Sequence, residues 1–228
     1  MRFVDLFAGI GGFHLGIKKA IPNAECVWWC DNDKHARMIY EKHFPGILNA
    51  KDIRKVDAKQ IPDHDLLCAG FPCQSFSIAG KMQGFKDERG NLFFEIIRIL
   101  RVKRPALILL ENVKGLLFID KGRTFKEILL SLEGLGYDCE WQVLNSKDFG
   151  VPQNRERAFI IGHLRGKSRP QIFPILGSMR SNTQRNVAAK KDVFCWKIGS
   201  NEDTMILNIC PTLTKVFNKI VIYKYENE

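Results

Sequence analysis

The chain has 228 residues, 45% of them hydrophobic, enough for one large domain or one domain with a small appendage. Lys and Arg outnumber Asp and Glu by 35 to 25, a net charge of +10. Up to His163 there are 24 basic and 20 acidic side chains and beyond it 11 and 5, so the C-terminal part is the more basic per residue, which suits nucleic acid as well as a solvated basic surface. No apolar run reaches the length of a membrane span, and the opening "MRFVDLFAGIGG" lacks the organisation of a signal peptide. The seven cysteines include no C-x-x-C pair, and no paired histidines complete a zinc set. The expectation is a reduced, cytoplasmic protein with no membrane segment and no metal.

In chain order, "RFVDLF" (2–7) reads as a strand and "FHLGIKKAI" (13–21) as a helix, then "AECVWWC" (24–30) as a strand and "KHARMIYEKHF" (34–44) as a helix. A polar stretch leads to the strand "DLLCA" (65–69), the helix "NLFFEIIRILRVK" (91–103), the strand "ALILLE" (106–111) and the helix "TFKEILLSLEGL" (124–135). "YDCEWQVLN" (137–145) and "RAFIIGH" (157–163) close the set as strands. This alternation predicts an α/β fold, an open and mostly parallel sheet with helices on both faces. Ligands of such sheets sit beyond the carboxyl ends of the strands, which selects segments 8–12, 31–33, 70–77 and 111–113. From residue 164 the pattern breaks: 164–192 reads as a basic linker, and 193–228 as a short β-rich region around "CPTLT".

Four of these strand ends carry candidate chemistry. "DLFAGIGGFHLG" (5–16) is a glycine-rich strand-to-helix turn, where the backbone can approach a ligand and the helix start favours a negative group. Its G-x-G-G spacing differs from the dinucleotide fingerprint. In "CDND" (30–33), Asp31 and Asp33 are each candidates for binding ribose hydroxyls or for capping the next helix. Glu111 in "ENV" ends an apolar strand, where lost solvation would raise its pKa and make it a proton donor. Cys73 follows a strand and a Phe-Pro turn in "AGFPCQSFSIAG", while Arg155 and Arg157 in "QNRER" suit phosphates or base edges.

Together, "DLFAGIGG", "GFPCQSFS" with the following "GKMQGFKDERGNLFFEIIRIL", "ENVKG" and "LNSKDFGVPQNRERAFIIG" resemble the cytosine carbon-5 DNA methyltransferases over residues 2–163. The resemblance implies a Rossmann-like methyltransferase domain over 1–163 with S-adenosylmethionine as cofactor and double-stranded DNA as substrate. It implies Cys73 as the nucleophile toward ring carbon 6 and Glu111 as the proton donor to ring nitrogen 3. Arg157 would face the cytosine carbonyl and Arg155 would support the site. Cofactor contacts would come from Phe7, Ala8, Gly9, Gly11, Gly12, Asp31, Asn32, Asp52, Ile53, Pro72 and Leu92, with Asp31 standing where the family usually has glutamate. Gln74, Ser77, Lys81, Arg89 and Gln153 would meet the flipped base or the DNA backbone. The family's late Gly-Asn-Ser-Val motif does not occur, and 193–228 resembles only the opening of its recognition region. The expectations that follow are a second polypeptide supplying that region, or a truncated relic that binds without turnover. A methyltransferase acting on RNA cytosine is the other alternative on the same fold.

Overall fold

The structure, a computed structural model, describes residues 1–72, 92–150 and 152–166. Among them are seven strands: β1 (Arg2–Leu6), β2 (Glu25–Cys30), β3 (Asn49–Ala50), β4 (Leu66–Gly70), β5 (Leu107–Val113), β6 (Tyr137–Asn145) and β7 (Glu156–Leu164). Four helices accompany them: α1 (Gly12–Ala20), α2 (Lys34–His43), α3 (Leu92–Lys103) and α4 (Arg123–Gly134). The strands form one sheet in the order β3-β2-β1-β4-β5-β7-β6. The pairings from β3 through β5 are parallel, and β7 is antiparallel to both β5 and β6.

Strand residues alternate between two cores, as a period of two requires. Val4, Leu6, Leu67, Ala69, Ile108 and Leu110 join a cluster with α3 and α4. Phe3, Leu66, Cys68 and Leu109 join another with α1 and Tyr40 of α2. Both faces of the sheet are therefore covered, the condition under which parallel strands read as continuous apolar runs.

The strands and helices read from residues 2–163 all form, with ends displaced by at most two residues, while the expected linker beyond Gly166 and the β-rich region 193–228 lie outside the described residues. Phe7, expected to end the first strand, instead lies outside β1 at φ 55, in the left-handed region that few side chains adopt. The polar stretch before β4 holds features with no periodicity to announce them: β3 and two 3-10 turns at Ile53–Lys55 and Ala58–Gln60. The order of winding reverses at β1, with the parallel strands β2 and β3 laid on one side and β4 and β5 on the other. The switch point, where such sheets take their ligands, lies between β1 and β4.

Candidate active site

The loop from β1 to α1 is built by its glycines. Gly9 and Gly11 have φ of 55 and 94, and a Cβ on Gly11 would lie 2.5 Å from the Phe44 ring. Only glycine fits such a curl at low cost. Gly11 is the residue before α1 and carries no side-chain cap, so the helix start presents its amides without a competing side chain. Ala8 donates its N–H to the Cys30 carbonyl at 3.0 Å, which ties the loop to the end of β2.

Of the two acids in "CDND", Asp33 takes the capping role on α2, accepting from the Ala36 N–H at 2.7 Å. Asp31 is buried and accepts from Gly9 N–H (2.7 Å) and Asp33 N–H (2.8 Å), so its carboxyl locks the glycine loop against β2. Asn32 beside it is exposed. At the end of β3, Asp52 receives Nε and Nη2 of Arg54 at 2.9 Å each, which holds its carboxyl below the usual range. The Ile53 side chain is buried in the α3/α4 core, and Leu92 at the start of α3 packs against the same core.

Glu111 stands across β4 from this loop. Gly70 pairs with Glu111, and a Cβ on Gly70 would touch Glu111 Oε2 at 3.6 Å and the Phe7 carbonyl at 3.9 Å. The absent side chain thus lets the acid and the glycine loop approach the same point. Arg157 reaches Glu111 from β7, Nε to Oε1 at 2.9 Å, and the Glu111 side chain is 22% exposed. Burial pushes the Glu111 carboxyl up, and the charges of Arg157 and Arg155 pull it back only in part. Arg155 is exposed on the segment before β7, its N–H donating to Asn145 Oδ1 at 3.2 Å, and Gln153 is exposed on the same segment.

Asn112 was not among the candidates drawn from sequence, although it sits inside "ENV". It is buried and donates from Nδ2 to the Phe71 carbonyl at 2.9 Å, while its Oδ1 accepts from Val113 N–H at 2.8 Å. Phe71 is buried, with its ring 5.5 Å from that of Phe93, and Pro72 is exposed. Asn112 therefore fixes the backbone two residues ahead of Cys73. Its signal in the sequence was its position, a polar residue following an apolar strand. Cys73, Gln74, Ser77, Lys81 and Arg89 lie outside the described residues.

Four of the seven cysteines are described, and all four are free and buried. Burial pushes Cys26, Cys30 and Cys139 up to about 12 and Cys68 well above its usual value, so none is a ready thiolate. Among the described residues no group of three metal-ligating side chains comes together, and no helix is long and apolar enough to cross a membrane.

A glycine loop at the switch point of a mostly parallel α/β sheet, flanked by acids at the neighbouring strand ends, defines a Rossmann-like methyltransferase fold. The chain belongs to the C-5 cytosine-specific DNA methylases, whose family model matches residues 1–225, well past the 163 expected from the motifs. It is 49% identical over 173 residues to the type II methyltransferase M.DsaV of Dactylococcopsis salina, covering 76% of this chain and 48% of that one. It is 37% identical over 247 residues to M.Bsp6I of Bacillus sp., covering 94% and 77%. The S. pombe Dnmt2 methyltransferase superposes with a TM-score of 0.63 at 27% identity, over 74% of this chain and 52% of that structure. The chain spans about half the length of curated relatives such as M.DsaV and M.NlaX.

Proposed function

We propose that this chain carries the catalytic centre of a cytosine carbon-5 DNA methyltransferase, working through a covalent cysteine adduct on a flipped base. The observation that carries the reading is the convergence at Gly70 of the glycine loop and a desolvated Glu111 held by Arg157.

The residues present fit S-adenosylmethionine. The uncapped start of α1 suits its carboxylate, and acids at the ends of β2 and β3 suit its ribose and adenine. Phe7, Gly9, Gly11, Asp31, Asn32 and Asp52 would hold it, and it would supply an electrophilic methyl group. For the substrate, Cys73 Sγ bonds to ring carbon 6 while Glu111 gives its proton to ring nitrogen 3. The negative charge that the thiolate brings into the ring is thereby offset. Carbon 5 becomes nucleophilic and takes the methyl group. Loss of the carbon 5 proton to a base, departure of Cys73 as thiolate and return of the nitrogen 3 proton to the Glu111 carboxylate restore the neutral aromatic ring. Arg157 orients Glu111 and presents its guanidinium toward the base carbonyl. The four described cysteines are buried and kept as thiols, which suits none of them to this nucleophilic role, and the motif gives it to Cys73.

The test is a duplex carrying 5-fluorocytosine, incubated with S-adenosylmethionine and the chain together with any polypeptide encoded beside it. Fluorine blocks the final proton loss, so the adduct survives denaturing electrophoresis. A covalent band that maps to Cys73 and vanishes in Cys73→Ala supports the reading. Methylation of the unmodified duplex by Cys73→Ala would overturn it.

A further inference from the structure

Arg37 lies on α2, yet most of its hydrogen bonds serve the edge of the sheet. Its side chain is buried, and all four of its Nη hydrogens find acceptors. Nη1 donates to the main-chain carbonyls of Asp31 (3.3 Å) and Ala50 (2.7 Å), and Nη2 donates to Asn49 Oδ1 (2.8 Å) and Glu41 Oε1 (3.1 Å). The guanidinium carbon Cζ lies over Trp29, 4.8 Å from the ring centroid, and Trp29 stacks in turn on Tyr40 at 4.1 Å.

A buried arginine needs acceptors, and a fork of this kind is what a guanidinium offers and an ammonium does not. Here three of the four acceptors lie where two strands end. Asp31 is the first residue past β2, and Asn49 and Ala50 are the whole of β3. β3 is joined to β2 through only two register pairs, Trp29 with Asn49 and Cys30 with Ala50. An edge strand that short is weakly held by its ladder alone. Asp52, two residues beyond it, can face the same ligand as Asp31 only if the two strand ends keep their spacing. Arg37 bridges them directly.

We propose that Arg37 is the positioning residue for the adenosine side of the cofactor pocket, holding the ends of β2 and β3 together so that Asp31 and Asp52 address one ligand. The proposal rests on the reading of this site as an S-adenosylmethionine pocket. Arg37 touches no reacting atom and acts through the backbone of Asp31 and Ala50.

Calorimetric titration with S-adenosylhomocysteine and with 5′-methylthioadenosine, well below the melting temperature, tests it. Arg37→Lys keeps the charge and loses the planar fork, and its affinity for both ligands falls by the same factor, about tenfold. The equality matters, because methylthioadenosine lacks the amino-acid end that the glycine loop would hold. Asn49→Ala, which removes one exposed acceptor and tests the same bridge if Arg37→Lys folds poorly, shows a smaller loss, again shared by both ligands. Glu41→Ala removes only the tie to α2 and binds like wild type. Wild-type affinity in both Arg37→Lys and Asn49→Ala, or a loss confined to S-adenosylhomocysteine, would overturn the positioning role. Failure of the wild-type chain to bind either ligand would overturn the cofactor reading itself.

Discussion

Arg157 Nε and Glu111 Oε1 meet at 2.9 Å, although Arg157 is in register with Val113 and Glu111 with Phe159. The contact is a diagonal across two antiparallel strands, and it places a cation against an acid that burial pushes the other way. Arg157→Gln removes that cation, so the Glu111 carboxyl moves further up, because desolvation then acts with only Arg155 opposing it. A carbon-13 NMR titration of the labelled Glu111 carboxyl in both proteins measures this. An unchanged midpoint would show that the ion pair does not set the acidity of this group.

Asn112→Ala leaves the Phe71 carbonyl and the Val113 N–H without the partner that now serves both. Each hydrogen bond lost costs about 0.5–1.5 kcal/mol, which urea denaturation of the variant resolves. The consequence specific to the site is a larger loss in the 5-fluorocytosine adduct rate than in S-adenosylhomocysteine affinity, since the bond anchors the backbone leading to Cys73 and not the glycine loop. Equal losses in the two would assign Asn112 to general stability alone.

The cysteines divide by reactivity. Cys26, Cys30 and Cys139, pushed up to about 12, and Cys68, pushed higher, stay protonated and shielded at mildly alkaline pH. Brief treatment of the native protein with iodoacetamide, followed by peptide mass mapping, finds alkyl groups on Cys73 and none on these four. Early labelling of any of the four would contradict their burial.

Two buried histidines contribute to the acid limb of stability. His163 is buried with its Nε2 unpartnered, and desolvation pushes it down to about 4. His14, buried and within 2.8 Å of the Tyr40 hydroxyl, is pushed to about 4 by burial and by the Lys18 ammonium. The unfolded chain takes up a proton at each near pH ~6.5, which the folded chain resists. Their contribution is intact above that pH and is lost as pH falls toward 4, by about 3 kcal/mol for each. His163→Gln does not titrate there, so urea midpoints at pH 7 and pH 4.5 lie closer together than in wild type. Equal pH sensitivity in the two proteins would mean that His163 ionises freely in the fold.

Hydropathy patterning carried the elements because its cause is local. A strand such as "ALILLE" or a helix such as "NLFFEIIRIL" buries a face determined by its own residues, so β5 and α3 were legible to within two positions. Glu111 was legible for the same reason, a carboxylate ending an apolar run, and the glycine loop because positive φ at Gly9 and Gly11 demands glycine. What the tertiary structure decided were relations between distant residues. β7 inserts between β5 and β6, a choice made by pairing across the sheet. Asp31 and Asp33 look alike in "CDND", and only the nearness of the Gly9 amide separates the lock from the cap. Asn112 reaches 41 residues back to Phe71, and Arg37 gathers acceptors from two strand ends and its own helix. A buried amide or guanidinium has no periodicity to betray it. Its role is set by which carbonyls the fold leaves without partners, and those are determined only once the chain has packed.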